Sequence, residues 1–422
     1  MKRILAIQGN FEDTNMSVQN NLQEKANKIS SEMRAELTER VIPFWAALAD
    51  YENGGFYGKV GYDLAVDKTA DKGAILHCRI LWFFSKCYTE LQDSECLKLA
   101  KHCYDFIVAH LYDDKFGGAY WSVKADGSVA NSMKHGYCNA FLIYALSAYT
   151  EASGDMEAYK LALKVFDTVE LEMVLACELG YRESFNRVWE ATEKNGLSED
   201  ETGAVKNSNT ILHLVEAYTA LYKIRSNPNV AKKLVSLLEL TYEHLYDKPE
   251  RRLWAYFDAK MNPLGDVHSY GHDAEMIHVV AAALNAAKAV IPAELAANLS
   301  VMNYVFACEL DRVAFADNGA MYYESVDGEV IRQRVWWAQT EAVLGFMEAY
   351  GRFREERFFE RGAALWEYIK ANFLDSRANS EWFNELDENE VPVEMPIASE
   401  WKCPYHNGRM LLAGLRLPEL FS

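Results

Sequence analysis

The chain has 422 residues, half of them hydrophobic, a quarter charged and 13% aromatic. Its 62 Asp and Glu against 43 Lys and Arg leave a net charge of −19. That balance excludes a nucleic-acid binder, which needs a basic face for phosphates, and argues against docking on anionic lipid.

Residues 1–32 are polar, rich in Asn, Gln, Ser and Lys. They stand outside the pattern that follows and read as a mobile or loosely docked extension, with Met33 as an alternative start. The apolar run Ile4–Ile7 is too short for a secretory signal. The most apolar later stretch, Ile277–Ile291, carries Asn285 and Lys288 and is too short to span a bilayer. Eight cysteines are scattered with no CxxC pair, which predicts reduced, buried thiols in a cytoplasmic protein and no zinc site.

From residue 33 onward a short aromatic, strand-like motif recurs. It reads GGFYGKV at Gly54–Val60, GGAYWSV at Gly117–Val123 and GYRESFNRVW at Gly180–Trp189. LWAYFDAKM at Leu253–Met261, GAMYYESV at Gly319–Val326 and EWFNEL at Glu381–Leu386 complete the set. The interval is roughly 65 residues, room for two helices and their connections. Between the motifs, Ala74–Leu91, Cys96–Leu111, Asn139–Ser153, Met156–Glu170 and Asn209–Ile224 place apolar residues at i, i+3, i+4 and i+7. Val230–Tyr246, His272–Val290, Pro292–Glu309, Val335–Tyr350 and Glu356–Phe373 continue the series. Many have an apolar face too wide for a lone surface helix. Six motifs at this interval, with helix pairs between them, predict an all-α, single-domain (α/α)6 barrel of six helix pairs over 33–422, with short β-hairpins in the connections. An open superhelix is the alternative, but solenoid repeats are shorter and more self-similar.

The second feature of the period is chemical. The helix that follows each motif starts with LHCRILW, KHGYCNAF, NSNTILHL, SYGHDAEM, RVWWAQTE or WKCPYHNGRM. In a toroid these starts surround one pocket, bringing together His77, Arg79, His135, His213, His272, Glu275, Trp337, Glu341, Trp401 and His406. A single histidine at a helix start more often caps the helix; recurrence at equivalent places favours a site. His272 and Glu275, at i and i+3, share a face on which the carboxylate orients the imidazole. Asn209 and His213 share a face at i and i+4. HxxE without a second local histidine is not the HExxH zinc pattern, so no metal is expected. Trp336, Trp337 and Trp401 suit the flat faces of a neutral ligand such as a sugar. The acidic run Leu197–Thr202 reads as a solvated loop.

These motifs carry a resemblance. ENGGFYG (Glu52–Gly58), ADKGAILHCRILWF (Ala70–Phe83), HSYGHDAE (His268–Glu275), RVWWAQTEA (Arg334–Ala342) and WKCPYHNGRM (Trp401–Met410) are similar to those of the N-acylglucosamine 2-epimerase superfamily, most closely its cellobiose 2-epimerase branch. The resemblance runs from about Met33 to about Met410. It implies an (α/α)6 barrel, no metal or nucleotide cofactor, and reversible C2 epimerisation of the reducing-end glucose of β-1,4-linked disaccharides. Carried over by motif, Arg79, Asn209, His213, His272, Glu275, Trp337, Trp401 and His406 are the functional positions, with Glu341 as a supporting carboxylate. His272 and His406 form the expected acid/base pair, and Glu275 the residue that tunes His272. Ser399 and Glu400 depart from the family pattern beside Trp401. A small-molecule disaccharide is the expected partner, for a monomer or weak homo-oligomer without nucleic acid or membrane. A monosaccharide epimerase, a glycoside hydrolase on the same barrel and a non-enzymatic sugar-binding scaffold are the rivals.

Overall fold

Local signals start and stop the helices where the period predicts. Asp93, Asp155 and Asn227 each accept a backbone N–H of the first turn that follows, satisfying donors that a helix start leaves open. Gly154, at φ 74°, ends a helix in the left-handed conformation that costs glycine least. The computed structural model describes residues 2–176, 178–192 and 203–421, with side chains from Gln19 onward. Cys177 and the acidic run at 197–202 lie outside the described residues.

The chain opens with α1 (Lys2–Glu36), which continues through Leu37–Val41 into α2 (Ile42–Ala46). Five pairs follow: α3 (Ala74–Leu91) with α4 (Ser94–Phe106), α5 (Gly136–Ser153) with α6 (Met156–Glu172), α7 (Ser208–Ile224) with α8 (Pro228–Leu240), α9 (Tyr270–Ala286) with α10 (Ala293–Val313), and α11 (Trp336–Phe353) with α12 (Glu356–Asn372). The last helix of the ring is α13 (His406–Gly414). The odd-numbered helices from α3 onward pack each on the next, and α13 packs back on α3, closing a ring of six. They are buried almost all round: α5 hides fourteen of its eighteen residues. The outer helices bury one stripe only, as α4 does with Cys96, Leu99, Ala100, Cys103 and Phe106. This is the (α/α)6 barrel. No helix among the described residues is long and apolar enough to cross a membrane.

The N-terminal boundary differs from the sequence reading. Helix α1 runs without a break through residue 32 and packs on α13. Leu22, Ala26, Ile29 and Met33 are buried, and Glu32 accepts from Trp366 and Lys370 of α12. A lone polar segment has no reason to order. Here α1 supplies the outer partner that α13 otherwise lacks, and its apolar stripe at i, i+4, i+7 and i+11 covers that inner helix.

Short strands link the repeats around one rim. The strand just before each inner helix pairs antiparallel with the aromatic motif of the next repeat: Lys72–Gly73 with Ser122–Val123, Lys134–His135 with Ser184–Phe185, Lys206–Asn207 with Tyr256–Phe257. Val267–Ser269 with Glu324–Val326 and Arg334–Val335 with Glu385–Leu386 continue it, and a bridge from Val60 to Ala398 closes it. Under this rim buried lysines meet carboxylates: Lys72 with Asp50 at 2.8 Å, Lys134 with Asp113 at 3.2 Å, Lys206 with the half-buried Glu178 at 3.0 Å, and Lys402 with Glu381. Each fixes the entry to an inner helix, and so the place where that helix presents its first turn.

Candidate active site

The inner-helix starts open on one pocket of about 300 Å3, at the small end of the usual range for ligand sites. Arg79, Asn209, His213, His272, Glu275, Trp337, Trp401 and His406 all line it. Glu341 lies behind His406, fully buried. Two more of the expected set do not reach the pocket. His77 is buried in the wall, where Nε2 accepts from Phe56 N at 3.0 Å and Nδ1 donates to Gly73 O at 2.9 Å. His135 is the N-cap of α5, accepting from Tyr137 N. For these two, capping and carbonyl satisfaction is the role the fold uses.

Arg79, on the first turns of α3, is 2% exposed. One Nη donates to Tyr137 Oη at 2.6 Å, and the guanidinium lies 4.4 Å over the Phe141 ring and 4.9 Å over Tyr405. Among the described residues no carboxylate is within salt-bridge reach of it. Aromatic faces support the cation without neutralising it, so its charge is directed at what enters the pocket.

Trp337 contacts two histidines, its ring 4.9 Å from His272 and 5.5 Å from His406. Gly271 permits this approach, since a Cβ there would come within 2.5 Å of the Trp337 ring. His406 Nδ1 donates to Glu341 Oε1 at 2.6 Å, which leaves Nε2 as the free base. Burial lowers the His406 pKa to about 3, against the opposing pull of Glu341, and lowers that of His272 to about 4. Both imidazoles therefore rest neutral at physiological pH and are able to accept a proton.

Below the pocket, Arg409 ties three buried carboxylates together. It reaches Glu216 and Glu275 at 2.5 Å each and Glu341 at 2.7 Å. Burial alone would raise all three carboxyls. Arg409 and the neighbouring donors outweigh it for Glu216, held at about 2, and for Glu341, held well below the carboxylate range. Glu275 goes the other way: burial and the Glu341 charge push it up. Donor atoms of Glu275, Glu341 and His406 lie within 4.8 Å of one another, a spacing that suits a metal ion. The cation already among these carboxylates is the Arg409 guanidinium.

The expected His272–Glu275 contact is replaced. Glu275 lies one turn deeper and its carboxylate is taken up by Arg409. The same i,i+3 spacing recurs one repeat earlier, and there it makes the bond: His213 Nδ1 donates to Glu216 Oε2 at 3.1 Å. His213 Nε2 and Asn209 Oδ1, on the pocket side of α7, are buried without a hydrogen-bond partner among the described residues. Sequence reasoning missed Glu216, Arg409, Tyr137 and His278. The first has the HxxE spacing, and Tyr137 and Arg409 stand inside helix-start stretches already singled out. Trp401 is 39% exposed at the pocket mouth, edge-on to Trp121 and tilted against Tyr137.

A closed six-pair barrel with an aromatic, histidine-bearing pocket at one rim, and a lone arginine charge inside it, defines a barrel enzyme for a neutral, ring-shaped substrate. The chain belongs to the N-acylglucosamine 2-epimerase (GlcNAc 2-epimerase) family, whose profile matches residues 55–408. It is 43% identical to the cellobiose 2-epimerase of Ruminococcus albus over 90% of this chain and 97% of that one. To the cellobiose 2-epimerase of Dictyoglomus turgidum it is 38% identical, over 91% and 97%. The structure of cellobiose 2-epimerase from Bacillus thermoamylovorans superposes with a TM-score of 0.89 at 35% identity, covering 92% of this chain and 99% of that one.

Proposed function

We propose that the protein inverts C2 of the reducing-end glucose of β-1,4-linked disaccharides, converting cellobiose to glucosyl-mannose and lactose to epilactose. That it is a carbohydrate epimerase, an isomerase, follows from its family and from relatives at 38–43% identity. The observation that carries the mechanism is the pair of neutral imidazoles, His272 and His406, both in the pocket and both in ring contact with Trp337.

Removing the C2 proton needs an adjacent carbonyl, which a closed hemiacetal lacks, so the sugar ring opens first. His213, through its unpartnered Nε2, and His406 are the groups placed to assist. One imidazole of the pair then takes the C2 proton. The resulting cis-enediolate puts negative charge on oxygens that Arg79 meets with a full, unshared positive charge in a water-poor pocket. Rotation about C2–C3 turns the other face, and the second imidazole, protonated by the sugar's O1 hydroxyl as the ring opened, gives that proton to C2 while the first passes the abstracted proton to solvent. Neither carbon chain nor oxidation state changes, so no redox partner is needed. Glu341 steadies His406 as it becomes charged, while Trp337 and Trp401 give apolar faces to the two sugar rings.

NMR of cellobiose, mannobiose and lactose incubated with the protein in D2O tests the reading. A new disaccharide with deuterium at C2 is the expected result. Monosaccharide products would make it a hydrolase, and product carrying only protium at C2 would point to a route without proton exchange.

A further inference from the structure

The two oxygens of Glu341 are shared between two histidines. Oε1 accepts from His406 Nδ1 at 2.6 Å, and Oε2 meets His278 Nε2 at 2.7 Å. His278 lies on α9 but does not line the sugar pocket. It faces a cavity toward the opposite end of the barrel, together with Lys86, Glu151, Glu216, Lys223 and Arg409. Because Arg409 and the histidines hold Glu341 ionised, Nε2 of His278 carries the proton; a bare nitrogen there would face a carboxylate oxygen, acceptor against acceptor.

We propose that His278 is a positioning residue for the epimerisation, acting on His406 through the shared carboxylate of Glu341. This rests on the reading of His406 as an acid/base group. A carboxyl group held at one oxygen by His406 and Arg409 still turns about its last bond. A donor on the second oxygen stops that rotation, which keeps the His406 ring aimed with Nε2 toward the sugar. Without it, Oε2 is a buried acceptor left unsatisfied. The second donor also draws charge from the carboxylate, so it lowers the basicity that Glu341 confers on His406. Removing it makes Glu341 a stronger acceptor and raises the pKa of the His406 imidazole.

The test compares the unaltered protein with His278→Phe and His278→Gln, measuring kcat, KM and the pH profile of kcat/KM on cellobiose. Phe fills the space without a donor, and Gln restores an N–H. The expected outcome for Phe is a loss of kcat of about tenfold, an unchanged KM, and an acid limb moved to higher pH. Gln recovers most of the rate. An unchanged kcat and acid limb in the Phe variant overturns the proposal, as does a rise in KM alone, or Gln performing no better than Phe. Ring-15N NMR of the unaltered protein gives an arm independent of folding variants and of turnover: His278 should carry its proton on Nε2 at neutral pH, and a bare Nε2 overturns the proposal. If the unaltered protein does not epimerise disaccharides, the functional reading fails instead, and the NMR arm still judges His278.

Discussion

Replacing Arg409 by Met removes the guanidinium that three buried carboxylates share. Glu216, Glu275 and Glu341 each lie within 2.5 to 2.7 Å of it. Breaking one buried pair by deleting a partner costs about 3–5 kcal/mol, mostly from the charge left behind. Three such losses do not add, because each carboxylate is able to take up a proton in place of the cation. Glu275, already pushed up by burial and by Glu341, takes the first. The expected loss is therefore about 3–5 kcal/mol at about pH 8 and much less at about pH 5. In the parent, Glu216 and Glu341 titrate below their unfolded values. Their stabilisation is present above the unfolded carboxylate pKa and is lost as pH falls through the folded one. In the variant the folded pKa values are raised, so the native state holds extra protons and stability falls as pH rises. Urea unfolding followed by tryptophan fluorescence at both pH values reads this difference. A gap that stays constant with pH, or one no larger than an exposed ion pair's, about 1 kcal/mol, refutes the shared-cation account.

His272→Ala and His406→Ala should each abolish C2 epimerisation while circular dichroism stays that of the parent, and substantial turnover in either removes that residue from the acid/base pair. With His272 lowered to about 4 and His406 to about 3, kcat/KM should hold level from neutral pH to about pH 5 and fall below it; an acid limb near the free-histidine value of about 6.5 contradicts the burial argument. The same shifts make the native state bind fewer protons than the unfolded chain between those values, so their contribution to stability is present above about pH 6.5 and is lost toward about pH 4. Trp401→Ala, at the half-open mouth, should raise KM for cellobiose more than for a monosaccharide; equal effects place Trp401 on the reacting ring. Removing residues 1–32 exposes α13 and forfeits the burial of Leu22 and Ile29, about 1.5–3 kcal/mol each, so the melting temperature should drop; an unchanged one means α1 is dispensable.

Much of the barrel was legible because its causes are local. The wide apolar faces of Ala74–Leu91 and Asn209–Ile224 predict inner helices from spacing alone. The aromatic motifs mark the rim strands, since glycine turns and β-prone residues recur at one interval. A further local signal went unread: a basic residue precedes four of the inner helices by two positions, at Lys72, Lys134, Lys206 and Arg334, and the three lysines are buried against carboxylates. Residues 1–32 misled because a polar composition hides a narrow apolar stripe, and its value depends on α13, which lies at the other end of the chain.

What the sequence by itself determined is the number of repeats, five of the six helix pairs in order, and which side chains stand at the start of each inner helix, because these follow from contacts within a turn or two. Tertiary structure alone decided how those side chains pair. His406 with Glu341 spans 65 positions, Tyr405 with Glu216 spans 189, and Arg409 with Glu216 spans 193. Helical spacing offered Glu275 to His272, but ring closure set Arg409 nearer. In a buried site a carboxylate goes to the strongest cation within reach, and which cation is within reach is a property of the closed barrel.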